Sequence, residues 1–335
     1  MVTEHVDTVS GAPASGIVWV YRFKDDGTAT SFPCEQVEQI LAIEGGWTWI
    51  HIGLADTRGR TWVTQHAPVS DIARELLTGP DEHMRLDILG GEVIGVLPDL
   101  QQEFARPTED LVRLRFAMTD RMLITARRRP VHSLELTRRT LDAGRRFPTA
   151  ISFLDAIVDQ FADGISRVTE KIGDQLDEVE NRLLRDEDVA GERTRLGRMR
   201  LQSARMHRQL AQLRQLFHRL EPRIAAENRQ VARAIRTLAQ KLDALDHDVA
   251  AQHERARLLL DEVAGLMSAL TNRRLFQLSI LTACLLAPTL VTGFFGMNTK
   301  SMPFQEVEGG TWYALSVAAI AGVVAYALLM RMRTE

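Results

Sequence analysis

Two uncharged, apolar stretches near the end of the chain constrain its fold more than any other feature. They cover residues 275–299 and 309–330. A bilayer core requires about 20 apolar residues per helix, so each stretch is long enough to cross a membrane. A buried hairpin in a large soluble core is the alternative, and two such stretches in succession argue against it. The sequence therefore predicts a membrane protein with two C-terminal transmembrane helices.

Positive charges beside these stretches predict the topology. Two pairs of arginines flank them: Arg273, Arg274, Arg331 and Arg333. Because positive flanks remain on the cytoplasmic side, both termini are expected in the cytoplasm. The predicted spans are residues 272–297 and 311–331, joined by an external loop at 298–310. The amino terminus has neither a cationic start nor an apolar run, so we expect no cleaved signal peptide.

The region before the first span changes its apolar period near residue 148. Up to about residue 130, short alternating apolar runs predict strands, with a hairpin around Gly90 and Gly91. Residues 69–77 predict a helix that begins at Ser70 or Asp71. We therefore expect a cytoplasmic α/β domain with a mixed or antiparallel sheet in residues 1–148. The common phosphate-binding, metalloprotease and hydrolase motifs do not occur in it, which predicts a protein that is not an enzyme.

Residues 149–271 follow a period of 3.6 and predict long helices. We expect an antiparallel hairpin divided at Gly191, whose second arm ends near Pro222. This arm carries eight arginines between Arg193 and Arg219 and no acid among them, whereas the first arm is acidic. Nucleic-acid binding is one interpretation of such a basic run. Complementary charge on two adjacent arms favours the hairpin instead.

A third helix is predicted to run without a break from about residue 225 to about residue 295. A heptad stripe follows it at Leu238, Leu242, Leu245, Val249, Gln252, Ala256, Leu259, Val263, Leu266 and Leu270. A single helix cannot bury such a stripe by itself. It must therefore pack against the hairpin or against copies of itself.

Small and polar residues occupy another face of this helix. In its cytoplasmic part they are His247, Glu254, Asp261 and Ser268, of which Glu254 and Asp261 would form acidic rings if several copies were arranged around one axis. In its membrane part the predicted pore-lining residues are Asn272, Leu275, Ser279, Thr282, Leu286, Thr289 and Gly293. Such a face indicates either close helix packing or a water-filled lumen. Two spans per chain cannot enclose an ion path, so a pore would require an oligomer with its axis between subunits.

The end of the first span carries a family resemblance. Residues 286–304 read LAPTLVTGFFGMNTKSMPF, in which Gly296, Met297 and Asn298 close the span. This segment resembles the CorA family of divalent-cation transporters, whose Gly-Met-Asn signature occupies the same place. NRRLFQLS and LAPTLVTG look more like the zinc-transporting ZntB branch than the magnesium-transporting one. The resemblance implies a funnel-shaped homopentamer, with the first span lining the pore and the second surrounding it. The cytoplasmic funnel would then be lined by His247, Glu254, Asp261 and Ser268.

The Gly-Met-Asn segment also has a physical interpretation at the pore mouth. The amide oxygen of Asn298 can hydrogen-bond or replace water around a hydrated dication without holding it as firmly as a carboxylate does. A simple helix C-cap is the alternative role for glycine and asparagine here. The loop beyond departs from the family, because Lys300 lies near the mouth and the acids come later. We expect Glu306 and Glu308 to attract cations.

A regulatory metal site is a further hypothesis for the cytoplasmic helices. Asp243 and His247 stand four residues apart on the third helix and could share a zinc or magnesium ion. The alternative is a solvated or salt-bridged pair. His207 and His218 are weaker candidates.

Together these residues predict transport of divalent metal cations across a bacterial cytoplasmic membrane, with zinc preferred to magnesium. The ZntB resemblance suggests proton coupling. The alternative within this class is a magnesium or cobalt channel gated by cytoplasmic metal. From another class, the alternative is a membrane-anchored coiled-coil scaffold that conducts nothing. The expected partners are copies of the chain, divalent metal ions and membrane lipids, without nucleic acid and without a cofactor other than transported or regulatory Zn²⁺, Mg²⁺ or Co²⁺.

Overall fold

The computed structural model describes residues 16–103, 106–185, 189–225, 229–297 and 309–332. The strands are β1 (Ile17–Phe23), β2 (Ala29–Phe32), β3 (Trp47–Gly53), β4 (Arg85–Leu89), β5 (Glu92–Glu103), β6 (Arg106–Thr119) and β7 (Met122–Arg127). The helices are α1 (Val37–Leu41), α2 (Thr57–His66), α3 (Asp71–Thr78), α4 (His132–Asp142), α5 (Ala150–Leu184), α6 (Val189–Ala225), α7 (Arg229–Phe295) and α8 (Gly310–Met332).

The strands form one mixed sheet in the order β2-β1-β3-β7-β6-β5-β4. β3 and β7 run parallel, with Ile50 opposite Ile124, and the other neighbouring strands are antiparallel. The predicted hairpin at Gly90 and Gly91 joins β4 to β5. Both glycines have positive φ, 58° and 86°, as a tight two-residue hairpin turn requires. The expected mixed sheet is confirmed.

Helix α3 begins where the sequence predicts, because Ser70 caps it. The Ser70 hydroxyl accepts a hydrogen bond of 3.3 Å from the Ala73 backbone N–H. Ala73, Leu76 and Leu77 on its inner face are buried in the core between this helix and the sheet. The cap satisfies one of the backbone donors that every helix leaves unpaired at its first turn.

The division predicted at Gly191 is wrong, whereas the predicted end of the second arm near Pro222 falls in the last turn of α6. Gly191 does not divide the arms, since α5 ends at Leu184 and α6 begins at Val189. Gly191 lies in the first turn of α6, outside the helix interior where the entropic cost of a glycine is greatest. Pro222 lies inside α6, which continues to Ala225. The hydrogen bond that Pro222 removes belongs to the last turn, where the helix tolerates the loss.

The heptad stripe of α7 is confirmed through Val263. Leu238, Leu242 and Val249 are at most 1% exposed, and Val263 is fully buried. Further along, Leu266 and Leu270 are 37% and 42% exposed. The stripe therefore changes from a buried seam to an open surface within the helix.

Charge pairs tie the acidic part of α5 to both of the following helices. Arg195 of α6 pairs with Glu178, as the hairpin prediction requires. Arg255 of α7 pairs with Asp177 at 2.6 Å and also with Glu180. The predicted complementarity between α5 and α6 is thus present, and α7 shares the acids.

The described chain divides into two compact units. The first comprises Met1–Arg182 and Thr194–Leu258, and holds the sheet and most of the long helices. The second comprises Leu183–Arg193 and Leu259–Glu335, and holds the C-terminal part of α7 with α8.

Candidate functional site

Two helical segments are long and apolar enough to cross a membrane: Ile235–Phe295 within α7 and Gly310–Leu329 within α8. Of their most apolar windows, 0% and 6% respectively are buried inside the structure. The core helix of a soluble protein would be mostly buried. The exposure of both segments therefore favours membrane spans over the soluble hairpin.

Gly322 sets the close approach of α8 to α7. A Cβ atom at Gly322 would lie 3.1 Å from Pro288 Cγ and 3.3 Å from the Cys284 carbonyl oxygen. Pro288 has no N–H, so this carbonyl lacks the donor that a helix normally supplies four residues on. The missing side chain at Gly322 allows the helices to meet where the proline interrupts the hydrogen-bond ladder of α7.

Buried and half-buried residues extend this contact along both helices. On α8 they are Ala314, Ala318, Ala321, Ala325 and Leu329. On α7 they are Phe276, Ile280, Cys284, Pro288, Val291 and Phe295. Steps of three and four residues define one face on each helix. One side of the α7 span is therefore committed to packing within the chain.

The predicted pore-lining residues lie on the other side of α7. All seven of them, Asn272, Leu275, Ser279, Thr282, Leu286, Thr289 and Gly293, are exposed. A helix advances by about 100° per residue, so Thr282 and Leu286 fall opposite Ile280 and Cys284. The polar face is thus separated from the face that α8 covers, and is free to meet another chain or a lumen.

The hydroxyl groups on this face donate to their own helix. Ser279 Oγ donates to the Leu275 carbonyl oxygen at 2.9 Å, and Thr282 Oγ1 donates to that of Leu278 at 2.8 Å. Thr289 Oγ1 donates to the Leu285 carbonyl oxygen at 2.7 Å. A hydroxyl whose proton is engaged keeps oxygen lone pairs that can accept. The face therefore presents hydrogen-bond acceptors, which suit the water shell of a cation.

The first span ends in a tight turn at the start of the Gly-Met-Asn segment. The Gly296 N–H donates to the Thr292 carbonyl oxygen at 2.9 Å, and the Met297 N–H donates to that of Phe294 at 3.3 Å. Gly296 and Met297 are both exposed. Asn298 lies outside the described residues, as do Lys300, Glu306 and Glu308.

The predicted funnel residues are exposed on α7. His247 and Glu254 lie in the first compact unit, and Asp261 and Ser268 lie in the second. Glu254 Oε2 is 3.6 Å from Arg257 Nη1, an ion pair one turn apart. None of these four side chains takes part in the buried seam of α7.

Two histidine–aspartate pairs join α6 to α7. His207 Nδ1 lies 2.7 Å from Asp246 Oδ1, and His218 Nε2 lies 3.3 Å from Asp243 Oδ2. Arg214 lies between the pairs, 3.9 Å from Asp246 and 3.5 Å from Asp243. Asp246 is 7% exposed, so its charge is held by His207 and Arg214 away from solvent. Sequence reasoning missed Asp246, although a carboxylate next to Leu245 of the buried stripe was a signal.

The carboxylate of the proposed metal site, that of Asp243, is therefore already in contact with side chains of α6. Asp243 contacts His218 and Arg214, whereas His247 is exposed. Within the ranges that the structure describes, no group of three or more His, Cys, Asp or Glu side chains is placed to hold a metal ion. A cation on Asp243 and His247 would have to displace the Arg214 contact.

Comparison with known proteins supports a transporter fold. A family model described as a CorA-like Mg²⁺ transporter protein matches residues 44–331. The zinc transport protein ZntB of Yersinia enterocolitica is 26% identical over 324 residues, covering 95% of this chain and 97% of the relative. The full-length CmaX structure is similar with a TM-score of 0.79 at 23% identity, covering 97% of this chain and 99% of that one.

The CorA magnesium transporter from Methanocaldococcus jannaschii has a TM-score of 0.73 at 15% identity, covering 94% of this chain and 97% of that one. These matches confirm the resemblance drawn from the Gly-Met-Asn segment. They also confirm the predicted order of an N-terminal soluble α/β domain, long helices and two C-terminal apolar helices.

Proposed function

This chain belongs to the family of CorA-like Mg²⁺ transporter proteins, and we infer from its site that it carries divalent metal cations across a membrane. We propose Zn²⁺ as the preferred cargo, because the Yersinia enterocolitica relative is a zinc transport protein. Mg²⁺ is the second candidate, since the family description and the Methanocaldococcus jannaschii structure both refer to it. Co²⁺ belongs with this second candidate.

The observation that carries the proposal is the exposed polar face of α7. Ser279, Thr282 and Thr289 lie on the side of the span that α8 leaves uncovered. A helix that served only as an anchor would gain nothing from hydroxyl groups facing lipid. Around a central axis, the same groups would form rings of oxygen acceptors. This feature favours a conducting protein over a membrane-anchored scaffold.

A pore of this kind requires several copies of the chain. Two spans cannot surround an ion path, so each copy would contribute α7 to the wall while α8 forms an outer layer against lipid. We propose a homopentamer with a cytoplasmic funnel. His247, Glu254, Asp261 and Ser268 would line the funnel and concentrate cations through their carboxylates.

The orientation follows from the charges at the span ends. Arg273 and Arg274 precede the first span and Arg331 follows the second, which supports a cytoplasmic position for these ends in a bacterial inner membrane. Gly296, Met297 and Asn298 would then form the external mouth. Glu306 and Glu308 would draw cations toward it.

Weak, neutral ligands suit passage better than firm ones. Hydroxyl and amide oxygens can accept from the water shell of a dication without the binding strength of a carboxylate. A membrane potential that is negative inside would favour inward movement of a cation by about 2.3 kcal/mol per charge per 100 mV. Proton coupling would add a second driving force.

The test is a flux measurement on purified protein in liposomes that contain a zinc-sensitive dye. Zinc influx that increases with an inward proton gradient supports proton-coupled zinc transport. Influx that is indifferent to protons and is blocked by excess Mg²⁺ supports the magnesium-type channel. Absence of flux of either ion, from protein shown to be oligomeric, would leave only the scaffold. Asn298→Ala should alter flux while leaving assembly intact.

A further inference from the structure

A cavity of about 450 Å³ lies between β6 and α6 in the first compact unit. Arg113 enters its wall from β6. Arg198, Gln202, Arg205 and Gln209 line it from α6. Their spacing of three or four residues places them on one face of that helix. The volume falls in the range of about 300–1,000 Å³ that is usual for small-molecule sites.

The wall of this cavity carries an excess of positive charge. Three arginines, Arg113, Arg198 and Arg205, line it together with one carboxylate, that of Asp110. In the part of the chain that the structure describes, none of the three arginines makes an ion pair. The basic run of α6 is therefore not neutralised here by the acids of α5. An anion would find an attractive field in the cavity.

Several polar atoms in the wall are buried without a partner. They are Arg113 Nη1, Gln202 Nε2 and Gln209 Oε1. Buried polar groups in folded proteins are almost always hydrogen-bonded. Each one left unpaired lowers the stability of the fold. Two donors and one acceptor in residues of one cavity wall are therefore available to a ligand toward which these side chains turn.

More arginines lie behind Arg113 and extend the positive field. Arg115 is fully buried, and its Nε and Nη1 have no partner. Its Nη2 donates to the Asp81 carbonyl oxygen at 2.8 Å, and Arg128 Nη2 donates to that of Gly79 at 2.8 Å. Burial, and then the neighbouring charge of Arg128, lowers the pKa of Arg115. Backbone carbonyls thus hold this cluster in place without cancelling its charge.

We propose that this cavity binds a soluble organic phosphate of nucleotide size. Guanidinium groups match phosphate oxygens in charge and geometry, so Arg113, Arg198 and Arg205 would hold the phosphate part. Gln202 and Gln209 would pair with the remaining polar groups. Leu201 and Met206 supply an apolar wall for a ring. The inference is independent of which metal the protein transports.

The test is calorimetric titration of the full-length protein in detergent with ATP, in buffer containing EDTA so that divalent metals take no part. Inorganic phosphate is the second probe. The double variant Arg198→Gln/Arg205→Gln should weaken ATP binding by at least about tenfold, the effect of losing about 1.4 kcal/mol of charge-assisted hydrogen bonding. The matched control is Arg200→Gln/Arg208→Gln, which changes two exposed arginines of the same helix outside the cavity wall. It should leave binding unchanged.

A third variant separates binding from folding. Gln202→Leu removes an unpartnered buried donor, so it should raise the thermal midpoint of the free protein while weakening ATP binding. ATP should bind more tightly than inorganic phosphate, because only ATP contacts the apolar wall; if inorganic phosphate binds as tightly as ATP, the cavity is a site for free phosphate and the organic ligand is ruled out. If neither probe binds, or if the control variant weakens binding as much as the cavity variant, the proposal is overturned.

Discussion

Gly322 lies so close to Pro288 that a Cβ at that position would sit 3.1 Å from the proline ring. Gly322→Ala is expected to be mildly destabilising, and Gly322→Leu should cost about 1–3 kcal/mol because the two helices must separate. Thermal unfolding of the detergent-solubilised protein measures both changes.

Gly265→Ala is the matched control for Gly322. A Cβ at Gly265 meets nothing within 4 Å, and alanine favours a helix by about 1 kcal/mol over glycine. This substitution should therefore raise the thermal midpoint. A Gly322→Leu protein as stable as the wild type would show that α7 and α8 do not pack at this point.

Ser279 and Ser316 offer a matched test of the polar face. Both are exposed, and each donates to a carbonyl oxygen four residues earlier, at 2.9 Å and 2.8 Å. Ser279 lies on the proposed pore face of α7, whereas Ser316 lies on α8. Ser279→Ala should lower zinc flux by about two- to tenfold, as the loss of one hydrogen bond of about 0.5–1.5 kcal/mol would do.

The same flux assay on Ser316→Ala should give the wild-type rate. Equal losses in both variants would indicate a general effect of hydroxyl removal on the spans. Equal rates in both would count against Ser279 as part of an ion path.

The buried carboxyl group of Asp99 predicts that the stability of the N-terminal domain depends on pH. Burial raises its pKa from 3.8 to about 7, although it accepts hydrogen bonds from the Leu100 N–H at 2.7 Å and from the Ser133 N–H and hydroxyl. A carboxyl with a raised folded-state pKa binds its proton more tightly when folded. Its contribution to stability is therefore present at low pH and is lost as the pH rises from about 4 to about 7.

Asp99→Asn should abolish this dependence. Across that range the stability of the wild type should fall relative to the variant, with a slope of up to about 1.4 kcal/mol per pH unit. Thermal midpoints of the two proteins at a series of pH values measure the difference, since the other titrating groups are common to both. A constant difference would show that Asp99 keeps an ordinary pKa.

The contact between His207 and Asp246 predicts that removing His207 destabilises the fold more than removing the exposed His247. His207→Ala removes the 2.7 Å partner of a carboxylate that is 7% exposed, and leaves it with Arg214 at 3.9 Å. We expect a loss of about 1–3 kcal/mol in the free energy of unfolding. His247→Ala, at an exposed position of α7, should change it by less than about 0.5 kcal/mol. Comparable losses in both variants would mean that the pair is not formed in solution.

Features that depend on residues close together in the sequence could be predicted from it. The two spans, the buried stripe of α7 through Val263, the Ser70 cap and the hairpin at Gly90 all depend on the properties of neighbouring residues. Periodicity and turn chemistry report such local structure directly. The polar face of α7 was likewise visible as a spacing of seven.

Helix boundaries were predicted less well, because a glycine or a proline disfavours a helix only locally and packing elsewhere can outweigh that cost. Gly191 and Pro222 both lie inside α6, where packing of Leu196, Met206 and Leu220 against the rest of the unit outweighs a cost confined to a terminal turn.

Only the tertiary structure decided which distant residues meet. His207 pairs with Asp246 across 39 positions, and β3 pairs in parallel with β7. Two further features also join residues far apart in the sequence. They are the approach of Gly322 to Pro288 and the arginine cavity between β6 and α6. A sequence pattern tells which face of a helix is apolar, but not which partner covers it. That choice depends on non-local contacts, whose energies arise only when the whole chain has folded.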